Sequence, residues 1–163
     1  KPYGDKAGQE AEAIVEAAMF EGHAPVLVVP EQGLDAEFGR RIVCGWNQGQ
    51  EALNAIRAAL PMLKAADLVD VVIIDPPTHG SERADPGAAL GQMLVRHGAK
   101  AEVTVLAKTM PRVSDVLARH VSDINADMVV MGAYGHSRFR EAIMGGATRN
   151  MLEQAKTPVL MAH

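Results

Sequence analysis

Five short runs of apolar, largely β-branched residues recur along the chain, each separated from the next by a stretch with helical period. The runs are "RIVCGW" (41–46), "LVDVVIID" (68–75), "AEVTVLA" (101–107), "DMVVMG" (127–132) and "PVLMA" (158–162). Strands that are apolar on both faces and alternate with helices belong in a parallel sheet covered on both sides. The crossovers are then right-handed. The expected fold class is therefore α/β, a doubly wound open parallel sheet of five strands. Asp70 and Glu102 interrupt the apolar pattern and suit strand ends or an edge strand.

The intervening stretches carry stripes at helical spacing. Leu53, Ile56, Leu60 and Leu63 form the first, in which Pro61 is expected to kink or shorten the helix. "PPTHGSERAD" is dense in turn residues and reads as a loop. Asp85-Pro86 then reads as an N-cap with a first-turn proline, ahead of Leu90, Met93, Leu94 and His97, and Gly98 stops that helix. Val113, Val116, Leu117, His120, Val121 and Ile124 mark a third helix, and Met151, Leu152 and Ala155 a fourth. His120, on an apolar face, reads as a hydrogen-bonded core histidine rather than a ligand.

Residues 1–38 depart from this order. Ala11, Ile14, Val15, Ala18 and Met19 form a helical stripe, and "PVLVVP" follows as a strand. "GHAPVLVV" (22–29) aligns without gaps on "AKTPVLMA" (155–162), sharing Pro-Val-Leu. This similarity suggests an internal repeat, with the first helix and strand as the tail of a preceding copy and "EQGLDAEFGR" as linker. The chain begins at Lys1 and not at Met, as a processed or truncated piece would.

Composition narrows the function classes. The 163 residues carry a formal net charge of −4 and no basic run, which argues against a nucleic-acid partner. No apolar run approaches the ~18 residues of a membrane span, and the polar start does not resemble a secretory leader. Cys44 is the single cysteine and lies within a strand-like run, so it reads as a buried inert thiol in a reducing, cytoplasmic setting. The six histidines are widely spaced, which speaks against a metal site. No paired carboxylates stand out for acid–base work.

The segment "GAYGHSRFREAIMGGAT" (132–148) admits three readings. A nucleophile elbow needs a small residue two positions after the serine, and Phe139 follows Ser137 at that spacing, so this reading is weak. A phosphate cradle is supported by Gly132 and Gly135 at the end of a strand and by Gly145 and Gly146 before a helix. There, backbone N–H groups and a helix N-terminus can meet an anion. A plain glycine-rich connection is the third. Trp46 either stacks on an aromatic ligand or packs in the core.

Gly132-x2-Gly135-x9-Gly145 resembles the ATP-binding signature of the universal stress protein family, and "TPVLMA" resembles its closing strand. The resemblance covers residues 39–163, with 1–38 resembling the tail of a preceding domain and a linker, as in tandem members. It implies a Rossmann-like, adenine-nucleotide-hydrolase-like sheet of order 3-2-1-4-5 that binds ATP, with or without Mg²⁺, between strands one and four. The residues it implies at the site are Trp46, Asn47, Met131, Gly132, Gly135, Ser137, Gly145, Gly146 and Ala147. Three positions depart from the family pattern: Asn47 stands for an Asp, Gly49 for a Ser, and Gly146 for a Ser or Thr. Ser137, Arg138 and Thr148 are candidates to replace the lost contacts. The implied role is a nucleotide-binding stress regulator, at most a slow ATPase. The same fold without nucleotide, used for dimerisation and partner contact, is the alternative. The resemblance also implies self-association through the last strand, with residues 25–29 antiparallel to 158–162 in the same chain or a partner.

Overall fold

The apolar runs become strands and the striped stretches become helices in a computed structural model that describes residues 6–76, 85–135, 146–154 and 156–163. The order is α1 (Lys6–Phe20), β1 (Val26–Val28), β2 (Arg41–Gly45), α2 (Gln50–Ala65), β3 (Leu68–Ile74), α3 (Ala88–Arg96), β4 (Ala101–Leu106), α4 (Val113–Asp123), β5 (Met128–Gly132), α5 (Gly146–Gln154) and β6 (Val159–Ala162). The strands form one sheet ordered β1-β6-β5-β2-β3-β4. Its five parallel members run β4-β3-β2-β5-β6, the expected 3-2-1-4-5. The sheet has six strands because β1 adds to β6 antiparallel, with Val26 opposite Met161, Leu27 opposite Leu160 and Val28 opposite Val159.

Successive strand residues point to opposite faces, and both faces are buried. Ile42, Cys44, Val69, Val71, Met128 and Val130 meet Ala55, Ile56, Ala59 and Leu63 of α2 and Leu90 and Leu94 of α3. On the other face Val43, Val72, Val129 and Met161 meet Leu117 and Val121 of α4, Met151 and Leu152 of α5, and Met19 of α1. The N-terminal helix is thus seated on the same core as α4 and α5. Asp127 ties the linker to the sheet: its carboxylate accepts from the backbone N–H groups of Gly39, Arg40 and Arg41 at 2.9–3.1 Å.

Three local expectations are corrected. The helix α2 continues through Pro61 to Ala65. Pro61 and Arg57 are both exposed, so the carbonyl that proline deprives of a donor faces solvent. The helix α3 begins at Ala88, two residues beyond the expected proline start, with Gly87 as N-cap at φ 87°. A Cβ there would lie 2.6 Å from Ile73 Cδ1, so the chain turns tightly against β3 before the helix opens. Asp70 lies in β3, between β2 and β4, and is 1% exposed. It is accommodated by His120 Nε2 of α4 at 2.6 Å, a partner that also makes His120 the hydrogen-bonded core histidine its sequence position suggests. Glu102 is exposed on the edge strand β4, as its alternation suggests.

Candidate functional site

The strands β2 and β5 are neighbours whose connections leave in opposite directions, to β3 on one side and to β6 on the other. At such a switch point the loops beyond the carboxyl ends splay apart and leave a crevice. A cleft of about 420 Å³ occupies that place. Its walls come from the ends of β2, β3 and β5, the start of α4 and one side of α5. Three of its residues, Gln48 (φ 63°), Asp75 (φ 52°) and Tyr134 (φ 58°), hold left-handed backbone conformations just past the ends of β2, β3 and β5. Such conformations cost on the order of 1–3 kcal/mol for a non-glycine residue and concentrate where loops are shaped for a ligand.

Five sequence-expected residues, Trp46, Asn47, Met131, Gly132 and Gly135, line this cleft together. Trp46 packs partly against the core beneath α2 and also faces the cleft, so the two roles coexist. Gly146 and Ala147 form the first turn of α5. Ser137, Arg138, Phe139 and Gly145 lie outside the described residues, as does His79. Thr148 contributes a buried hydroxyl to the wall, where its Oγ1 accepts from the Tyr134 N–H at 3.2 Å.

The loop between β2 and α2 is closed by Asn47, whose Oδ1 accepts from the Gly49 N–H at 2.9 Å. This Asx turn opens α2 without a side-chain cap from Gly49. The Asn47 Nδ2 donates to Glu51 Oε1 at 3.2 Å. Glu51 is a residue that sequence reasoning missed, because a first-turn acid on a helix looks like a solvated dipole partner. Its side chain turns into the cleft against the glycines. A Cβ on Gly132 would meet Glu51 Cγ at 2.6 Å and the Ala52 backbone N at 2.5 Å, and one on Gly135 would overlap Glu51 Oε1. Gly132 is therefore required by the close approach of the α2 backbone, whereas Gly135 meets the mobile end of the Glu51 side chain.

The loop after β5 is braced from the C-terminus: the Ala133 N–H donates to the Ala162 carbonyl at 2.8 Å, and His163 Nδ1 donates to the Ala133 carbonyl at 3.0 Å. Phe20 of α1 packs edge-on against His163 and tilted on Tyr134, with ring centroids 4.6 and 5.0 Å apart. Ser114 at the start of α4 accepts from Asn150 Nδ2 at 3.4 Å, and Asn150 in turn accepts from Arg112 at 3.3 Å. Among the described residues that line the cleft, Glu51 and Asp75 are the carboxylates and there is no Lys, Arg or His. Cys44, one residue before the end of β2, is fully buried. Burial, and secondarily the charge of Asp70, pushes its thiol far above the usual range, which makes it inert. No group of three or more His, Cys, Asp or Glu among the described residues is placed to hold a metal ion, and no helix among them is long and apolar enough to cross a membrane.

Residues 39–163 match the universal stress protein family. The universal stress protein Slr1230 of Synechocystis sp. is 33% identical over 98 residues, which cover 55% of this chain. The matched stretch spans 33% of that curated relative's own length. Among solved structures, a universal stress protein from Archaeoglobus fulgidus DSM 4304 superposes with a TM-score of 0.66 at 17% identity, over 85% of this chain and 50% of that one. The universal stress protein from Archaeoglobus fulgidus in complex with dAMP superposes with a TM-score of 0.56 at 20% identity, over 73% of this chain and 94% of that one.

Proposed function

Because the chain belongs to the universal stress protein family, we propose that it is an adenine-nucleotide-binding regulator of the stress response, with its ligand in the cleft between β2 and β5. The observation that carries this reading is the convergence of Trp46, Asn47, Met131, Gly132 and Gly135 on one crevice of about 420 Å³, a size suited to a small ligand. The dAMP bound by an Archaeoglobus fulgidus family member supports the same ligand class. Trp46 offers an aromatic face, Asn47 an amide edge, and Gly132 and Gly135 a backbone approachable by ribose or phosphate. ATP with Mg²⁺ is the form of this ligand that the family signature implies. The role proposed is binding, with bound nucleotide favouring one conformational or associated state through its differential affinity. Catalytic turnover is not part of it. Residues 1–38 are read as the tail of a preceding domain, working in a cytoplasmic, reducing setting.

Isothermal titration calorimetry with adenosine, AMP and ATP, with and without Mg²⁺, tests the reading. Saturable one-site binding by an adenine ligand is expected, and no heat at millimolar ligand overturns it. The alternative, a module for partner contact without nucleotide, is favoured by one observation: the Glu51 side chain fills the space beside Gly132 and Gly135. That alternative expects no response to any adenine ligand.

A further inference from the structure

We infer that Glu51 is a specificity-determining residue of the cleft, which disfavours polyphosphates and selects adenine ligands that carry little phosphate charge. The inference rests on the nucleotide-binding reading above and names the ligands that this site takes.

Gly132 and Gly135 line the cleft at the end of β5, and glycine backbone in such a place is where an anion can approach closely. The space in front of them belongs to Glu51. Cβ atoms built on Gly49, Gly132 and Gly135 all run into its side chain. The carboxylate is held there by the amide of Asn47 at 3.2 Å and sits in the first turn of α2, where the helix dipole favours negative charge. The chain thus supplies its own anion where a phosphate would otherwise be stabilised. Asn47 fits this arrangement chemically: an Asp at that position has no proton to donate and would set two carboxylates against each other. The second acidic group on the wall, Asp75, adds repulsion of the same sign. The apolar part of the lining, Trp46, Val72, Ile73, Leu117, Met131 and Met151, remains available to a base and sugar. Each added phosphate charge therefore weakens binding in this cleft, in the order nucleoside, monophosphate, triphosphate.

The test compares the intact chain with Glu51→Gln, which keeps the size of the side chain and an oxygen for Asn47 Nδ2. Adenosine, AMP and ATP are titrated calorimetrically into each, first in EDTA and then with Mg²⁺. The ratio of ATP to adenosine affinity is expected to rise at least tenfold in Glu51→Gln, about 1.4 kcal/mol. In the unsubstituted chain, ATP affinity in EDTA is expected to rise with salt as repulsion is screened, and this needs no variant to fold. An unchanged ratio, or ATP affinity that falls with salt, overturns the inference while adenosine binding keeps the nucleotide reading intact. A loss of Mg²⁺-ATP affinity in Glu51→Gln also overturns it, since Glu51 would then be holding the cation that carries the phosphates. Absence of binding by all three ligands to both proteins overturns the nucleotide reading and this inference with it.

Discussion

Gly132 and Gly135 look equivalent in the family signature, yet they meet different neighbours. A Cβ on Gly132 would press on the backbone N of Ala52 at 2.5 Å, and α2 cannot yield without shifting the sheet it covers. The nearest atoms to a Cβ on Gly135 all belong to the side chain of Glu51, which can swing aside. Gly132→Ala is therefore expected to cost about 1–3 kcal/mol as overpacking, and Gly135→Ala no more than about 0.5 kcal/mol. Urea midpoints of the two variants check this, and equal losses would show that the two glycines share one role. Cys44 gives a second residue-scale prediction. Its thiol proton is retained in the fold above the ordinary thiol value of 9.0, while the unfolded chain releases it. A raised folded value contributes stability at low pH that is lost as pH climbs past the unfolded one. Above pH 9.0 the stability difference between the native chain and Cys44→Ala should change by about 1.4 kcal/mol per pH unit, the native chain weakening. Parallel stability profiles from pH 8 to 10.5 would contradict the burial of this thiol.

At the scale of elements, each strand falls within the apolar run that announces it, because a strand buried on both faces has no other composition open to it. The helices follow their stripes because each buries a single face against the sheet. What escaped notice depended on contacts between distant segments. Pro61 reads as a helix breaker, but its lost hydrogen bond falls on the exposed side of α2. Asp85-Pro86 reads as a helix start, but Ile73 and the left-handed Gly87 delay α3 to Ala88. Asp70 reads as an edge residue, since its partner His120 is 50 positions away on α4. The site was legible in part: Trp46, Asn47, Met131, Gly132 and Gly135 follow strand ends, and strand ends are visible. Glu51, Asp75 and Ser114 were not, because each belongs to a different element that only the fold brings to the cleft. Glu51 in particular differs from an ordinary first-turn acid only in the direction it faces.

At the scale of the whole molecule, the pairing of β1 with β6 has a symmetry the sequence repeat explains. When "PVLVV" is aligned on "PVLMA", Leu27 corresponds to Leu160, and these two residues face each other at the centre of the pair. Val26 opposite Met161 and Val28 opposite Val159 then mirror one another about that centre. This is the arrangement two copies of β6 would adopt across a two-fold axis, where the same patch serves both partners. The chain fills that edge itself, and α1 covers the adjoining core with Met19, which is 1% exposed. Removing residues 1–38 leaves the five parallel strands intact but strips β6 of its neighbour. Val159, Leu160, Met161 and Ala162 then form an open apolar edge with unpaired N–H and C=O groups. The shortened chain is expected to pair with a second copy through β6 in the register β1 now occupies, centred on Leu160. Light scattering coupled to size exclusion should give the truncated protein about twice its monomer mass, and Leu160→Lys should return it to a monomer. A truncated protein that keeps its circular dichroism spectrum and stays monomeric would show that β1 fills an edge with no tendency of its own to pair.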